Sequence, residues 1–547
     1  MLLSYLLICA LLVFVYGEHA ESVLGWNSCE RGYQLNHRGQ CKNEHLVEFN
    51  VQENYDSLEN THFDNQETVS VPSLEIVPLL ISGPSSNRVD FVFFSDGYVL
   101  EERTKFVADA LRLAEDVTKN QTFHTVQPLM NFWAAFSPSK ESGIGVGGVP
   151  KDTPFGLYRD GTELRGVYYE YPEVGKAACE FMGEQCDYPI LLGNDPLYGG
   201  LGGQFTVITA SILNGPLVLR HELGHSILDV GEEYDGGIGY FGRNAAHDIH
   251  TVPWKQWFSD PSRVDIRTGG PHIERSVMPM QAYPWTLLNT TKPWTVNFTS
   301  SGAYSRYSLQ FSLSGLPRKG DLRVTLDDTD LEWAPRPGIG MDRWFYNFHS
   351  SKPLAPGQHQ LMFALLNGDK QGSAQLCSTE LLEYGTEDEF VSKPGFYSLY
   401  PTFSDQNETT YRPTNNDCLM RAVSTPNFCK VCVETLWIHL LKGVSLVDSV
   451  EESCQKAEGV TSKVLTLSLL PLAHLRRVPV TPKESYSITW KKDGRLLSNF
   501  ANKTRVDIGH SAGEYSIHVK FFTEEIRLTT PRTESYAFYT VEDSVCT

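Results

Sequence analysis

The chain is poor in positive charge. Its 547 residues include 46 Lys and Arg against 66 Asp and Glu, which gives a net charge of −20 at pH 7. Proteins that bind nucleic acid or anionic membranes need basic surfaces, so this balance argues against both kinds of partner. No block of like charges interrupts the sequence. We therefore expect a dispersed acidic surface that favours solubility.

Long apolar runs are also scarce. One such run, Leu2 to Val15, is too short to cross a bilayer as a helix. With Tyr16-Gly17 after it, the run resembles a secretory signal, although its start lacks Lys and Arg. We expect residues 1–17 to be a signal peptide and the mature protein to be secreted and extracellular, without membrane insertion. Sequons that suit this route begin at Asn120, Asn289, Asn297, Asn407 and Asn502.

Cysteine is infrequent, but its count is informative. Removing Cys9 with the signal leaves ten of the eleven cysteines, and an even count in a secreted chain indicates disulfides. Short separations favour the pairs Cys29–Cys41 and Cys179–Cys186. The pattern does not assign the other six.

Three of those six cysteines have a second interpretation. Cys429 and Cys432 are separated by two residues, and Cys418 precedes them. This grouping could form a zinc site besides the one described below. An oxidising compartment favours disulfide bridges over that site, so we expect bridges here.

The most informative motif is His221-Glu222-Leu223-Gly224-His225, an HExxH pentapeptide. Residues four apart lie on one face of a helix, so the two histidines can bind one metal ion. Glu222 lies near that face and can act as general base on a metal-bound water. Zinc in such sites takes three protein ligands and leaves its fourth position to water. The motif therefore predicts one catalytic Zn2+ ion.

The residues around the motif predict a buried helix. Asn214-Gly215-Pro216 supplies a cap and a first-turn proline. Apolar side chains then follow at Leu217, Leu219, Leu223, Ile227 and Leu228. The alternative is a surface helix whose histidines bind nothing. Buried His and Glu side chains are costly unless they bind or hydrogen-bond something, which favours the metal site.

An acidic run, Glu232-Glu233-Tyr234-Asp235, follows the motif. Any of its three carboxylates could supply the third ligand, because oxygen ligands suit zinc. Gly231 precedes the run and is well suited to the left-handed conformation of a helix end. We therefore expect the helix to continue to Gly231, which leaves Glu232 as the first side chain free to turn to the metal.

The chain is long enough for several folding units. Strand and helix patterns between residues 89 and 228 predict an α/β core, and short strands between Pro and Gly turns predict two β-sandwiches. Trp490 ahead of the Asp493-Gly494 turn makes the last unit similar to an immunoglobulin domain, without the usual cysteine pair. The expected division is signal peptide 1–17, N-terminal pro-segment or accessory region 18–85, catalytic domain 86–286, inserted β-sandwich 287–390, second part of the catalytic domain 391–444, and C-terminal β-sandwich 445–547.

A glycine-rich segment extends from Tyr198 to Gly203. It lacks the Lys and Ser/Thr of a phosphate-binding loop, so a turn that leads into an edge strand is the better interpretation. Such an edge could pair with an extended substrate by strand addition. A plain loop is the alternative.

Four blocks occur in a distinctive order. They are VDFVFFSDGY from Val89, SPSKESG from Ser137, HELGHSILDVGEEY from His221, and the stretch from Tyr411 through Cys418-Leu-Met-Arg421 to Cys432. Together they resemble the immunoglobulin A peptidase family of zinc metallopeptidases, over about residues 87–240 and 395–440. The resemblance implies a metzincin-like fold: a twisted sheet, the motif helix beneath it, a methionine turn and a final helix.

The resemblance also implies the third zinc ligand. The family's pattern of two acidic residues and a tyrosine falls on Glu232, Glu233 and Tyr234. It makes Glu232 the ligand, with Glu233 next and Asp235 third. The other carboxylates would then orient the histidines.

Further roles follow from the same resemblance. Met420 is the implied residue of the methionine turn, ahead of Met278-Pro-Met280, which lacks the helix and cysteine pair that follow Met420. Some metzincins place a tyrosine two residues after this methionine, and that position is Ala422 here. Help for the developing oxyanion would have to come from elsewhere, with Tyr234 and Tyr411 as candidates.

The leading prediction is a secreted zinc-dependent endopeptidase that hydrolyses peptide bonds of a protein or glycoprotein substrate through a zinc-bound water activated by Glu222. A catalytically silent secreted binding or matrix protein on the same fold is an alternative, against which the intact motif argues. A zinc amidase acting on a non-peptide substrate is another. The sequence indicates neither the substrate nor the oligomeric state.

Overall fold

A computed structural model describes residues 70–544, except 120–121, 162–163, 238, 266–268, 407 and 458–459. It also describes two short paired strands, β1 (Tyr33–Leu35) and β2 (Cys41–Asn43). The predicted signal peptide, most of the accessory region, the Cys29–Cys41 pair and the sequons at Asn120 and Asn407 lie outside the described residues. Within the described ranges, no helix is long and apolar enough to cross a membrane.

A mixed six-stranded sheet is the centre of the first half of the chain. The elements of this half are β3 (Glu75–Leu80), β4 (Val89–Asp96), helix α1 (Arg103–Thr118), β5 (Met130–Phe136), the hairpin β6 (Leu157–Tyr158) and β7 (Tyr168–Tyr169), helix α2 (Pro172–Met182), β8 (Tyr188–Gly193), β9 (Gly200–Leu201), β10 (Thr206–Thr209) and helix α3 (Gly215–Ile227). The strand order is β3-β5-β4-β8-β10-β9. The four inner strands are parallel, and β3 and β9 lie antiparallel at the edges.

The sequence of β4 explains why both faces of this sheet are covered. Successive side chains of a strand point to opposite faces. Phe91 and Phe93 pack in the core that contains α1 and α3, whereas Val92 and Phe94 pack in the core that contains α2. A continuous apolar strand is therefore buried on both faces, as its run length predicts. Helix α3, which carries the HExxH motif, lies against one of these faces.

An all-β unit follows the sheet. Its strands are β11 (Ser276–Ala282), β12 (Thr286–Leu287), β13 (Trp294–Ser300), β14 (Arg306–Ser314), β15 (Leu322–Leu326), β16 (Thr329–Asp330), β17 (Trp344–Ser350), β18 (Gly357–Leu365) and β19 (Gln375–Tyr384). They form the sheets β11-β19-β14-β17, with β12 on β19, and β13-β18-β15-β16. Leu309, Phe311 and Phe363 belong to one apolar core that both sheets share. The first of these strands begins at Ser276, ahead of the boundary at 287 that the turn pattern suggested.

The chain then returns to the segment that follows α3. Its remaining elements are the hairpin β20 (Tyr400–Phe403) and β21 (Thr409–Arg412), helix α4 (Lys430–Leu440), and strands β22 (Val447–Ala457), β23 (Val460–Leu469), β24 (Glu484–Lys492), β25 (Arg495–Leu496), β26 (Arg505–Gly509), β27 (Gly513–Thr523) and β28 (Glu534–Val541). The backbone of Tyr411 exchanges two hydrogen bonds with Ala246, of 2.9 and 3.0 Å. The last strands form the sheets β22-β23-β26 and β25-β24-β27-β28.

Helix α4 joins the C-terminal sheets to the rest of the protein. Trp437 is fully buried, packs against Phe521 with ring centroids 5.4 Å apart, and donates from Nε1 to Glu525 at 2.6 Å. Glu434 accepts backbone hydrogen bonds from Arg527 and Leu528 at 2.5 and 2.9 Å. One apolar core contains side chains of the central sheet, α4 and the C-terminal strands. These units therefore stabilise one another.

Some of the described cysteines are disulfide-bonded and others are free thiols. Cys179 and Cys186 form the predicted disulfide, and Cys454 is also disulfide-bonded. The bridges expected among Cys418, Cys429 and Cys432 are wrong, because all three are free thiols. Their nearest sulfur atoms are 3.8 and 3.9 Å apart, about twice the length of a disulfide bond.

The shared core predicts that α4 contributes strongly to stability. Trp437→Ala should lower the free energy of unfolding by about 3–5 kcal/mol, because it removes a fully buried indole and leaves a cavity. Urea unfolding monitored by circular dichroism measures the change. Phe538→Ala is the matched control, since that ring is 66% exposed and its loss should cost little. Equal effects of the two substitutions would contradict a core shared through α4.

Candidate metal centre

Helix α3 places the two motif histidines side by side. The helix is buried along much of its length, because it packs between the central sheet and the segment around Met420. His221 and His225 are four residues apart, so both rings project from one face. Their Nε2 atoms are 3.3 Å apart. Only 8% of the His221 side chain and 11% of the His225 side chain are exposed to solvent.

Glu232 completes a set of three residues that can bind a metal ion. Its Oε1 lies 3.0 Å from Nε2 of His225, and its Oε2 lies 3.3 Å from Nε2 of His221. Zinc bonds to nitrogen and oxygen of about 2.0–2.1 Å place tetrahedral ligands about 3.3–3.4 Å apart. The observed separations are close to that value. The three residues can thus bind one tetrahedral ion and leave a fourth position open.

The other ring nitrogens fix the orientation of the histidines. Nδ1 of His221 lies 3.3 Å from the carbonyl oxygen of Leu419, and Nδ1 of His225 lies 3.2 Å from that of Val230. A carbonyl only accepts, so each Nδ1 carries the proton and donates it. Each Nε2 then has a lone pair for a metal.

Glu232 reaches the histidines by a route other than the predicted one. The helix ends at Ile227 rather than at Gly231, and Leu228 is already extended, with φ −107° and ψ 152°. We call residues 228–235 the carboxylate segment. Its backbone pairs with a returning strand: Val230 bridges Gly242, and the N–H of Glu232 donates to the carbonyl of Gly239 at 2.8 Å.

Gly231 has a different function from the expected helix end. Its conformation is not left-handed. A Cβ at this position would lie 2.2 Å from the carbonyl oxygen of Gly239 and 2.6 Å from the nitrogen of Phe241. The glycine is therefore required for close approach of two backbone segments, and the extended backbone places Glu232 at the histidines.

The other acidic residues of the run lie elsewhere. Glu233 is fully buried beside the three thiols, with Oε1 3.8 Å from Sγ of Cys432. Asp235 forms an ion pair with Arg421, in which Oδ2 and Nη2 are 2.6 Å apart. Neither is grouped with the histidines, so Glu232 alone of the three candidates lies at this centre.

Glu222 lies under the edge strand β9. The backbone N–H of Gly202 donates a hydrogen bond to its carboxylate. A Cβ on Gly200 would lie 2.2 Å from Cγ1 of Val218, and one on Gly202 would lie 2.8 Å from Cβ of His225. The glycines thus let the strand approach α3 closely. Burial raises the pKa of Glu222, and the neighbouring histidines only partly offset this, so the carboxylate is a stronger base than usual.

Met420 is the methionine that lies against the motif helix. It is fully buried, and its sulfur would be 3.0 Å from a Cβ on Gly224. Its carbonyl accepts a 3.0 Å hydrogen bond from the N–H of Glu233. The alternative pair, Met278 and Met280, lies in β11 of the inserted unit.

Two phenols are close enough to the centre to sense its charge. Burial raises the pKa of Tyr198 to about 12, with Glu222 and Glu232 adding to the increase. Loss of hydration and the charge of Glu232 raise the pKa of Tyr234, although 39% of this residue is exposed. For Tyr411 burial is the only cause of the raised pKa. Tyr198 and Tyr234 are therefore near the candidate site, and of these two only Tyr234 was expected from the sequence to help a developing oxyanion.

No local sequence pattern indicates that the inserted unit touches the start of α3. Asp342 accepts from the backbone N–H of Tyr198 at 2.5 Å and from Nδ2 of Asn214 at 2.7 Å. Asn214 precedes α3 as predicted, but its side chain bonds Asp342 instead of capping the helix. The guanidinium of Arg343 lies 5.0 Å from the Tyr198 ring centroid. The inserted unit thus helps to position the motif helix.

The electrostatics of the three residues suit a divalent cation. Burial by itself lowers the pKa of His221, but the charge of Glu232 outweighs it and raises the pKa to about 9. Burial also lowers the pKa of His225, and the charge of Glu232 again outweighs this and raises it. Oε2 of Glu232 is buried and accepts no hydrogen bond from any described residue. A metal ion would satisfy this oxygen and both lone pairs, so zinc fits the donor set.

A buried pair of histidines with a carboxylate, beside a second carboxylate that can act as base, defines a centre typical of metal-dependent hydrolases. Residues 77–260 match the model of a peptidase family described as IgA Peptidase M64. Over this stretch, about a third of the chain, the sequence is similar to a family of metallopeptidases, which confirms the resemblance inferred from the motifs. The match does not include Met420 or α4.

Other comparisons add little. No curated protein is significantly similar to the chain. A family 35 carbohydrate-binding module from an environmental isolate is 13% identical, covers 21% of this chain and 96% of its own, and gives a TM-score of 0.15. A family 35 module from Clostridium thermocellum is 10% identical, with coverages of 20% and 97% and a TM-score of 0.13. A GH2 β-galacturonidase from Eisenbergiella tayi is 8% identical, with coverages of 49% and 44% and a TM-score of 0.14. These scores carry no functional argument.

The raised histidine pKa values predict proton release on metal binding. In the metal-free protein at pH 7 the pair holds at least one proton that zinc must displace, so affinity should rise with pH up to about 9. Calorimetric titration with zinc in two buffers of different ionisation enthalpy measures the released protons. The number of protons released at this centre is the difference between the wild type and the variant that carries His221→Ala and His225→Ala. A buffer-independent difference would show that the histidines are already neutral.

Proposed function

We propose that the protein is a secreted zinc-dependent endopeptidase. The observation that carries the proposal is the convergence of His221, His225 and Glu232 at tetrahedral spacing, with Glu222 next to them. The match of residues 77–260 to a metallopeptidase family supports peptide-bond hydrolysis. The expected substrate is a protein or glycoprotein.

The arrangement of the core supports a metzincin-like fold. The central sheet packs on α3, Met420 packs against Gly224 of the same helix, and α4 follows Met420 in the chain. We further propose that the two C-terminal sheets form an immunoglobulin-like sandwich, with the buried Trp490 in its core.

Secretion is part of the proposal. A disulfide at Cys179–Cys186 suits an oxidising compartment. The sequons at Asn289, Asn297 and Asn502 are exposed and would be accessible to glycosylation.

The mechanism assigns one task to each group of the centre. Zinc, when bound, would polarise the scissile carbonyl and lower the pKa of water. Glu222 accepts the proton of the attacking water and passes it to the leaving amine, for which its raised pKa is suited. The carbonyls of Leu419 and Val230 hold the imidazoles in one tautomer throughout.

Strand β9 is the proposed guide for the substrate. It is the edge of the central sheet, pairs with β10 on one side only, and lies over Glu222. An extended peptide could add to the open side by backbone hydrogen bonds, which recognise any sequence. This edge would place a scissile bond beside the base. A silent binding protein or an amidase for non-peptide substrates would have no need of such an edge.

Removal of the base tests the proposed chemistry. Glu222→Gln should retain zinc but lower peptide hydrolysis by about 10²–10⁴-fold, because an amide cannot accept the proton. Proteome-wide profiling of cleavage sites, with Glu222→Gln as the inactive comparison, measures the activity and reveals specificity. Glu180→Gln, on the exposed side of α2, is the matched control and should cleave normally. Cleavage by Glu222→Gln at the wild-type rate would exclude this base.

The fit of β9 generates a separate prediction. Gly202→Ala should push the strand away from His225 and Glu222, and lower kcat/KM by about 10²-fold through misplacement of substrate and base. Zinc content should not change. Gly320→Ala is the control, because a Cβ there meets no atom within 4 Å. Wild-type kinetics of Gly202→Ala would show that the edge has no part in catalysis.

A further inference from the structure

Behind the carboxylate segment lies a second group of metal-binding side chains. The thiolate cluster consists of Cys418, Cys429, Cys432 and Glu233. Each of these side chains is buried, and their ligand atoms lie within 4.8 Å of one another. We propose that the thiolate cluster binds a second zinc ion, which is structural and separate from the ion of the two histidines.

The spacing of the sulfur atoms fits a zinc site. Sγ of Cys432 lies 3.8 Å from Sγ of Cys418 and 3.9 Å from Sγ of Cys429. Zinc–sulfur bonds of about 2.3 Å place tetrahedral thiolates about 3.8 Å apart. Three thiols cannot all pair with one another, and none of them is bridged. A shared metal ion accounts for all three at once.

Glu233 supplies the independent evidence for a ligand. Its side chain is 0% exposed. Oε1 accepts a 2.9 Å hydrogen bond from Nδ2 of Asn244 and lies 3.8 Å from Sγ of Cys432. Oε2 is buried and has no hydrogen-bond partner among the described residues. Buried carboxylate oxygens are rarely left without a partner, and a metal ion would supply one.

The surroundings can balance the charge of such a site. Three thiolates and a carboxylate exceed the charge of one zinc ion by two. The buried guanidinium groups of Arg412 and Arg421 lie among the acidic side chains of the same region. The cluster also lies at the positive end of helix α4, because Cys429 immediately precedes that helix. The N–H of Cys429 donates to Sγ of Cys418 at 3.3 Å.

The donor set identifies the ion and its role. Soft thiolates select zinc over magnesium or calcium. Four protein ligands leave no open position for water, which is characteristic of a structural zinc site rather than a catalytic one.

A zinc ion in the thiolate cluster would connect three segments: the carboxylate segment, the turn at Met420 and the start of α4. Glu233 directly follows Glu232, and its N–H donates to the carbonyl of Met420. Fixing Glu233 would thus hold Glu232 at the two histidines. This positioning role, unlike the metal site itself, rests on the proposed function.

The test is a measurement of zinc on the full-length secreted protein. Mass spectrometry should find two zinc ions per chain in the wild type and one in His221→Ala with His225→Ala. X-ray absorption at the zinc edge of that variant should show mainly sulfur neighbours at about 2.3 Å. Cys429→Ser with Cys432→Ser should lose this signal, whereas Cys377→Ser, a buried cysteine of the inserted unit, should keep two ions.

Alkylation of the denatured, unreduced protein gives a readout that does not depend on the folding of a variant. All three cysteines should be alkylated once the zinc is removed. A disulfide between any two of them, or a zinc-free histidine variant, would overturn the second site. Sulfur-bound zinc in a protein that cleaves no peptide would instead overturn the proposed function and leave the second site intact. Zinc with only nitrogen and oxygen neighbours in the wild type would overturn the second site and leave the proposed function intact.

Discussion

The geometry of the candidate centre depends on an early end to helix α3. The helix ends at Ile227, and the backbone at Val230 and Glu232 then pairs with Gly242 and Gly239. In an extended chain, successive side chains point in opposite directions. Glu232 therefore faces the histidines, while Glu233 faces the thiolate cluster. One stretch of backbone thus supplies a ligand to each of two proposed metal sites.

The rest of the chain holds that stretch in place. The carbonyl of Met420 binds the N–H of Glu233, and Arg421 binds both the carbonyl of Glu233 and the carboxylate of Asp235. Helix α4, next along the chain, is anchored by Trp437 in the core of the C-terminal strands. From the other side, the inserted unit reaches the start of α3 through Asp342. Domains that carry no ligand thus contribute to the precision of the site.

Much of the site was predictable because its signals are local. The histidine pair follows from helical spacing, and β4 follows from a continuous apolar run. Of the three carboxylates, Glu232 lies beside the histidines, and its role as a ligand stays a prediction. The helix end expected at Gly231 was wrong, because this glycine is needed for contact with residues 239–241, which no local pattern reveals. The contacts of Asp342 with Asn214 join residues far apart in sequence. The cysteine spacing suggested both a bridge and a metal site, and only the fold adds Glu233 as a fourth ligand.

The most direct test of the account is anomalous diffraction from crystals of the full-length protein, recorded above and below the zinc absorption edge. The account predicts a strong peak at bonding distance from His221, His225 and Glu232, next to Glu222, and a second peak in the thiolate cluster. Absence of a peak at the histidines in zinc-replete crystals would contradict the central claim that this centre is a catalytic zinc site.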